Sequence, residues 1–324
     1  MKTKLLIFTC FIILIIIGLT VISITNPLIY VSKIKLAIPV KEERLKQDVH
    51  NLTSIIPARH YRNLSSLERA SNYIFDEFSK TKCSIEIQGF QVNGKPYQNL
   101  ICSFGPLDSP RIIVGAHYDV AGDQPGADDN ASGIAGVLEI ARLLHELSPS
   151  LKHRVDLVAY TLEEPPFFAT DSMGSAIHAN SLKEKQVPIH YMISLEMIGY
   201  FSQEKNSQQY PTFVLKLFYP TQGDFITLVG KLSFSDWKLI RLFKQKMSQV
   251  MEIDVFSINA PQMVTGTDFS DHRNFWNRGI PAVMITDTAF YRNSHYHQAS
   301  DTMDTLDFER MSEVIRGVYW VLVN

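Results

Sequence analysis

The 324-residue chain predicts an α/β fold: a three-layer α/β/α sandwich with a largely parallel mixed sheet, preceded by one N-terminal transmembrane helix. Three observations lead there. A 20-residue uncharged run lies near the start, compact apolar strand patterns then alternate with helix-periodic segments, and acidic residues recur where those strands end. A hydrophobic content of 45% with 20% charged residues is the balance of a folded chain with a sizeable core. A formal charge of -2 and the absence of a long basic run give no electrostatic footprint for nucleic acid, which is excluded as a partner.

The apolar run, Leu5 to Ile24, reads "LLIFTCFIILIIIGLTVISI". As a helix it rises about 30 Å, the thickness of a bilayer's hydrocarbon core. Lys2 and Lys4 precede it, but it is longer than a signal h-region and no A-x-A site follows, so it reads as an uncleaved signal anchor rather than a cleaved signal. Lys33, Lys35 and Lys41 flank its other side and balance the positive-inside count. The short amino tail then favours an N-in orientation, with the bulk of the chain outside the cytoplasm, on the periplasmic or extracellular side. The expected organisation is an anchor over 1–26, a spacer over 27–44 and one domain over 45–324.

A helix is expected to start near Lys41. "SSLERASNYIFDEFSK" follows, with Ser65 as N-cap and Glu68 three residues on. "CSIEIQGFQV" and "YQNLICSF" alternate as a hairpin about Asn93-Gly94. That turn sets Cys83 opposite about residue 104, which argues against a Cys83–Cys102 disulfide; Cys10 lies in the apolar run. Strands are expected in "RIIVGAHYDV", "RVDLVAYTLEE", "HYMISLEMIGY", "DFITLVG" and "IPAVMITDT". Helices are expected in "ASGIAGVLEIARLLHEL", "GSAIHANSLKE" and "FSDWKLIRLFKQKMSQV". Open sheets of this kind bind ligands at the carboxyl ends of their strands.

The chemistry-bearing residues fall at those ends. His117 and Asp119 stand at i and i+2 on one side of a strand end, where Asp119 can take the second N–H of a metal-bound imidazole. Alone, this pair is a weak signal. Asp128 and Asp129 open a helix, and helix capping accounts for one aspartate better than for two. Glu163 and Glu164 leave a strand together, and Glu196 sits among apolar residues, where a glutamate needs a partner. His297 arrives after a long intervening stretch. If these groups converge, the cation they await is a pair of divalent ions, with an aspartate bridging and one acid left to move the proton.

Taken in order, "GAHYDV", "GADDNASG", "LEE", "SLEMIGY" and "YHQASDT" resemble peptidase family M28, zinc exopeptidases distantly related to glutaminyl cyclases. The resemblance covers roughly Leu52 to the end. It implies one zinc on His117, Asp129 and Glu196 and a second on Asp129, Glu164 and His297, with Asp119 behind His117. It further implies that Glu163 accepts a proton from the bridging water as a peptide carbonyl is attacked and passes it to the leaving amine. The activity implied is a membrane-anchored aminopeptidase acting on peptides. The alternatives are a mono-zinc glutaminyl-cyclase-like acyltransferase, a carboxypeptidase using Arg273 or Arg292 for the substrate carboxylate, or a non-catalytic binding module.

Two departures from the family pattern stand out. Pro165, Pro166, Phe167 and Phe168 replace a small turn and are expected to form a stiff apolar wall beside the metals. "FSDHRNF" places Asp271 and His272 behind the ligands or at the rim, and no tyrosine precedes it to bond the transition state. His297, rather than His295, has the family's spacing to Asp301-Thr302. Asn51, Asn63 and Asn130 head glycosylation sequons, and a glycan on Asn130 would contradict the ligand set.

Overall fold

An eight-stranded open sheet divides the domain in a computed structural model that describes residues 2–28 and 30–324. Met1 and Ile29, within the expected anchor and spacer, lie outside the described residues. The strands are β1 (Ser84–Val92), β2 (Lys95–Phe104), β3 (Arg111–His117), β4 (Arg154–Tyr160), β5 (Ile189–Leu195), β6 (Ile226–Lys231), β7 (Val255–Ala260) and β8 (Ala282–Thr286). Their spatial order is β1-β2-β4-β3-β5-β8-β6-β7. The centre, β4-β3-β5-β8, is parallel; β1, β2 and β6 introduce the antiparallel pairings.

Both faces of the central strands are apolar, so their sequences read as continuous hydrophobic runs. Ile112, Val114 and Ala116 of β3 face a large core shared with α2 (Glu42–Thr53), α3 (Leu64–Ser79), α4 (Gly133–Leu147), α6 (Phe234–Val250) and α8 (Phe308–Val323). Ile113, with Val158 and Met192 of the neighbouring strands, faces a second core under α5 (Gly174–Glu184) and α7 (His272–Trp276). The result is the expected three-layer sandwich. The sheet edge strand β7, the short α7 and the terminal α8 are additions to the elements expected from sequence.

The first helix, α1 (Lys2–Thr25), contains an 18-residue stretch, Phe8–Thr25, long and apolar enough to cross a membrane. Its apolar side chains from Phe8 onward find no core. Residues 30–40 run along the domain: Ile38 is buried, as is Asn26 before them, and Ile34 N donates to Gln249 O.

Two local expectations are corrected. Helix α3 starts at Leu64 with Asn63 at the cap position, so Ser65 lies inside its first turn and caps nothing. Cys83 and Cys102 do form a disulfide, with Cα atoms 5.4 Å apart. The hairpin register is the expected one, pairing Ser84 with Ser103, but Cys83 precedes the ladder and its side chain reaches diagonally to Cys102. Closing a loop of this length stabilises by about 2–4 kcal/mol. Reduction, or Cys83→Ser with Cys102→Ser, should lower the denaturant midpoint accordingly; an unchanged midpoint would show that the bridge adds nothing to stability.

Candidate active site

The parallel strands end on one side of the sheet, and the polypeptide leaves each end into a loop carrying one or two acids or a histidine. His117 terminates β3, Glu163 and Glu164 follow β4 by three and four residues, and Glu196 follows β5 directly. Asp129 comes from the irregular turn Ala127–Ser132 ahead of α4, and His297 from the loop after β8. All but the part-exposed His297 are buried.

His117 Nε2 stands 3.3 Å from Asp129 Oδ1 and 3.5 Å from Glu196 Oε1. His297 Nε2 stands 3.1 Å from Asp129 Oδ2 and 3.3 Å from Glu164 Oε2. Glu163 is more remote, its nearer oxygen 4.0 Å from His117 Nε2. The two histidines thus address opposite oxygens of one carboxylate. Bonds of about 2.0–2.2 Å to a tetrahedral ion set ligand atoms about 3.3–3.5 Å apart, which suits these separations. His297 Nε2 and Glu164 Oε1 make no hydrogen bond among the described residues, leaving a ring nitrogen and a carboxylate oxygen open to a cation. One ligand atom each from His117, Asp129 and Glu164 also lies within 4.8 Å of the other two.

Behind these residues, polar side chains bind backbone groups and hold the loops in place. The carboxylate of Asp119 accepts from the amides of Glu163 and Glu164, at 3.3 and 3.2 Å, and its Oδ1 stands 3.6 Å from His117 Nδ1. One aspartate therefore ties the ends of β3 and β4 together. Asp301 accepts from the amides of Asp128 and Asp129, at 2.9 and 3.1 Å. The Asn130 side chain donates to Leu195 O and accepts from Gly133 and Met197, locking the turn to β5. It is fully buried, which leaves no room for a glycan. Gly126 enters the turn at φ 62, where a Cβ would strike Val120 and the Asp129 carbonyl. Asp128 faces away, accepting from Gly199 N and Asn293. Ser270 donates to Glu196 Oε2 at 2.6 Å.

Burial, with the repulsion of neighbouring acids, raises Glu163, Glu196 and Glu164, the last to about 8. Burial works against the charge on Asp129 as well, but the two imidazoles that flank it, His117 and His297, outweigh it and hold that carboxyl below its ordinary value. Burial would discharge the two histidines; the surrounding carboxylates prevail, raising His117 well above its usual value and His297 to about 10. Without a cation, the cluster holds protons.

A cavity of about 300 Å³ opens from the acids across the sheet face at β6, β7 and β8. Val229, Ile258 and Met284 floor it, and Phe168, Leu215 and Phe290 stand in its walls. Of the proline-phenylalanine segment, Pro165 and Phe168 line it, whereas Phe167 turns into the core against Tyr61 and Tyr97. Among the described residues no lysine or arginine lines it. Arg292 donates to Gln208 and to the Phe225 and Tyr200 carbonyls, and Arg273 pairs with Asp268. Asp271 and His272 do not line the cavity, and His295 turns to Ser300. Tyr296, absent from the expected set, does line it, its ring stacked on His297 at 3.8 Å. Its position beside the histidine was the available signal.

The family model of peptidase family M28 matches residues 99–321. The chain belongs to peptidase family M28. Membership makes the M28 chain a zinc-dependent peptidase acting on peptides. It is 46% identical over 290 residues to the uncharacterized protein YfbL of Escherichia coli K12, covering 87% of this chain and 88% of that one. It is 25% identical over 288 residues to a probable leucine aminopeptidase of Trichophyton verrucosum, covering 85% and 70%. Among solved structures, the Legionella pneumophila LapA aminopeptidase superposes with a TM-score of 0.69 at 20% identity, covering 88% and 71%. A Porphyromonas gingivalis glutaminyl cyclase superposes at 0.65 and 19%, covering 88% and 99%. At these identities the two superpositions establish the zinc exopeptidase fold and not the reaction.

Metal ligands must be deprotonated. Because the surrounding carboxylates raise His117 and His297 above the ordinary imidazole value, zinc uptake by the metal-free chain should release protons, and apparent affinity should climb with pH. Calorimetric titrations in buffers of different ionisation enthalpy measure this; a pH-independent affinity without proton release would contradict the arrangement.

Proposed function

We propose that the chain is a membrane-anchored dizinc aminopeptidase. One zinc would be held by His117, Asp129 and Glu196, the other by His297, Glu164 and the shared Asp129. The observation that carries this reading is the approach of the two imidazole nitrogens, at 3.3 and 3.1 Å, to opposite oxygens of Asp129. Asp129, Glu163, Glu164 and Glu196 bring four negative charges, which two divalent ions balance. When bound, the metals supply Lewis acidity and a water of lowered pKa.

The chain's own groups do the rest. Glu163, set back from the histidines, takes the proton of the attacking water and returns it to the leaving amine. Burial and the neighbouring acids keep the Tyr296 hydroxyl protonated, so it can donate to the carbonyl oxygen as charge builds there. A cavity with acids at one end and no cation in its lining favours a substrate α-ammonium over a terminal carboxylate, hence aminopeptidase over carboxypeptidase. Its apolar depth suits a large apolar N-terminal side chain. We read α1 as the membrane span, with the domain outside the cytoplasm, a side on which the Cys83–Cys102 bridge can persist.

Glu163→Gln should retain two zinc ions per chain and lose about 10²–10⁴-fold in kcat on leucine and phenylalanine arylamides. N-acetylated substrates should be refractory. A full rate in the variant would remove Glu163 from the mechanism. One zinc per chain with pyroglutamate formation from glutaminyl peptides would instead support the cyclase reading, which the shared fold keeps open to test.

A further inference from the structure

We propose that the free edge of the sheet at β7, with the segments on either side of it, is a seat on the bilayer surface, so that the active-site cavity is walled by the part of the domain that meets lipid headgroups. This rests on reading α1 as the membrane anchor. The helix does not leave the domain through a loose tether. Thr25 O accepts from Ser257 Oγ and Lys244 Nζ, at 3.0 and 3.1 Å, and Asn26 O accepts from the same lysine at 3.2 Å. The buried Asn26 side chain donates to Asn259 Oδ1 at 2.6 Å, and Arg241 donates to Pro27 O at 2.9 Å. These contacts hold the end of α1 against β7 and α6. A bilayer containing α1 must therefore meet the domain at this edge.

The surface found there is the one such contact needs. Phe213 is 81% exposed, Leu217 74%, Phe234 72% and Met263 89%. The first two lie in the short helical turn Phe213–Leu217, which is pinned to β7 just beyond it: Tyr219 Oη donates to Ser257 O, on the residue that holds Thr25. Phe234 opens α6, and Met263 follows β7 by three residues. Trp237 stacks on Phe234, Lys238 Nζ lies 4.4 Å from the Phe234 ring centroid, and Arg241 covers Trp237 at 5.6 Å. Rings bearing cations at their rim suit the headgroup layer, where aromatic faces meet the acyl boundary and basic groups meet phosphate. Elsewhere on the domain the most exposed apolar side chains, Ile56, Ile87 and Leu107, stand on separate elements, which is ordinary for a surface.

The seat and the cavity share a wall. Tyr210, Leu215 and Tyr219 line the cavity from the segment whose outer side carries Phe213 and Leu217. Peptides adsorbed at the membrane surface would thus reach the acids without crossing bulk solvent.

The test uses the full chain with Cys10→Ala, carrying one nitroxide at a time on Phe213→Cys, Leu217→Cys, Phe234→Cys, Leu107→Cys or Leu14→Cys, in phosphatidylcholine–phosphatidylglycerol vesicles. Collision accessibility to oxygen and to a water-soluble nickel complex is then measured. The expected result is an oxygen-to-nickel ratio several-fold higher at 213, 217 and 234 than at 107, with 14 deep in lipid. If 14 is in lipid while 213, 217 and 234 match 107, the domain stands off the bilayer and the seat is overturned, the anchor surviving. If 14 itself is open to nickel, the anchor reading falls and takes the seat with it. As a second readout, Phe213→Asp with Leu217→Asp should slow cleavage of a membrane-adsorbed peptide several-fold and leave a short soluble arylamide unaffected; equal effects on both would also overturn the proposal.

Discussion

A knot of carboxylates packed around two imidazoles, at the carboxyl ends of buried strands, is the constraint from which the rest of the structure follows. Among the described residues Asp129 alone pairs with both histidines, and Glu163, Glu164 and Glu196 crowd in beside them. A buried group of like charges is tolerable only with compensating cations or with protons taken up in their place. The raised Glu164, His117 and His297 are the proton-loaded answer, and the two divalent ions we propose would be the charge-balanced one.

Holding such a cluster open requires stiffness. Four parallel strands, packed on both faces, bring His117, Glu164 and Glu196 to one level. Asp119, Asp301, Asn130 and Ser270 then fix the loops through backbone amides and through Glu196 itself. None of these four needs to touch substrate; each removes a freedom that a ligand side chain would otherwise have. Glycine at 126 serves the same end, admitting a turn in which a side chain would collide with Asp129.

Much of this was legible in the sequence because the informative residues are short-range. A strand buried on both faces writes itself as an unbroken apolar run, and Asp119, Glu163, Glu164 and Glu196 follow within four residues of such an end, while Asp129 comes from the turn before α4. Strand β7 was not legible: "VFSINA" spends Ser257 and Asn259 on the end of α1, and polar residues in those places mask an edge strand. Helix α8 carried a readable signal in its N-cap, where Asp307 accepts from Arg310 N at 3.0 Å. The disulfide escaped a register argument because Cys83 sits outside the ladder that the register describes. No tyrosine precedes the Asp271 segment, and Tyr296 stands instead beside His297 in the loop after β8.

Asp129 is proposed to join two metal ions. Anomalous diffraction at the zinc edge from crystals of the full chain tests it most directly. Two peaks about 3.5–4 Å apart on either side of Asp129, one beside His117 and Glu196 and the other beside His297 and Glu164, are predicted. A single peak, or two that do not share Asp129, would contradict it.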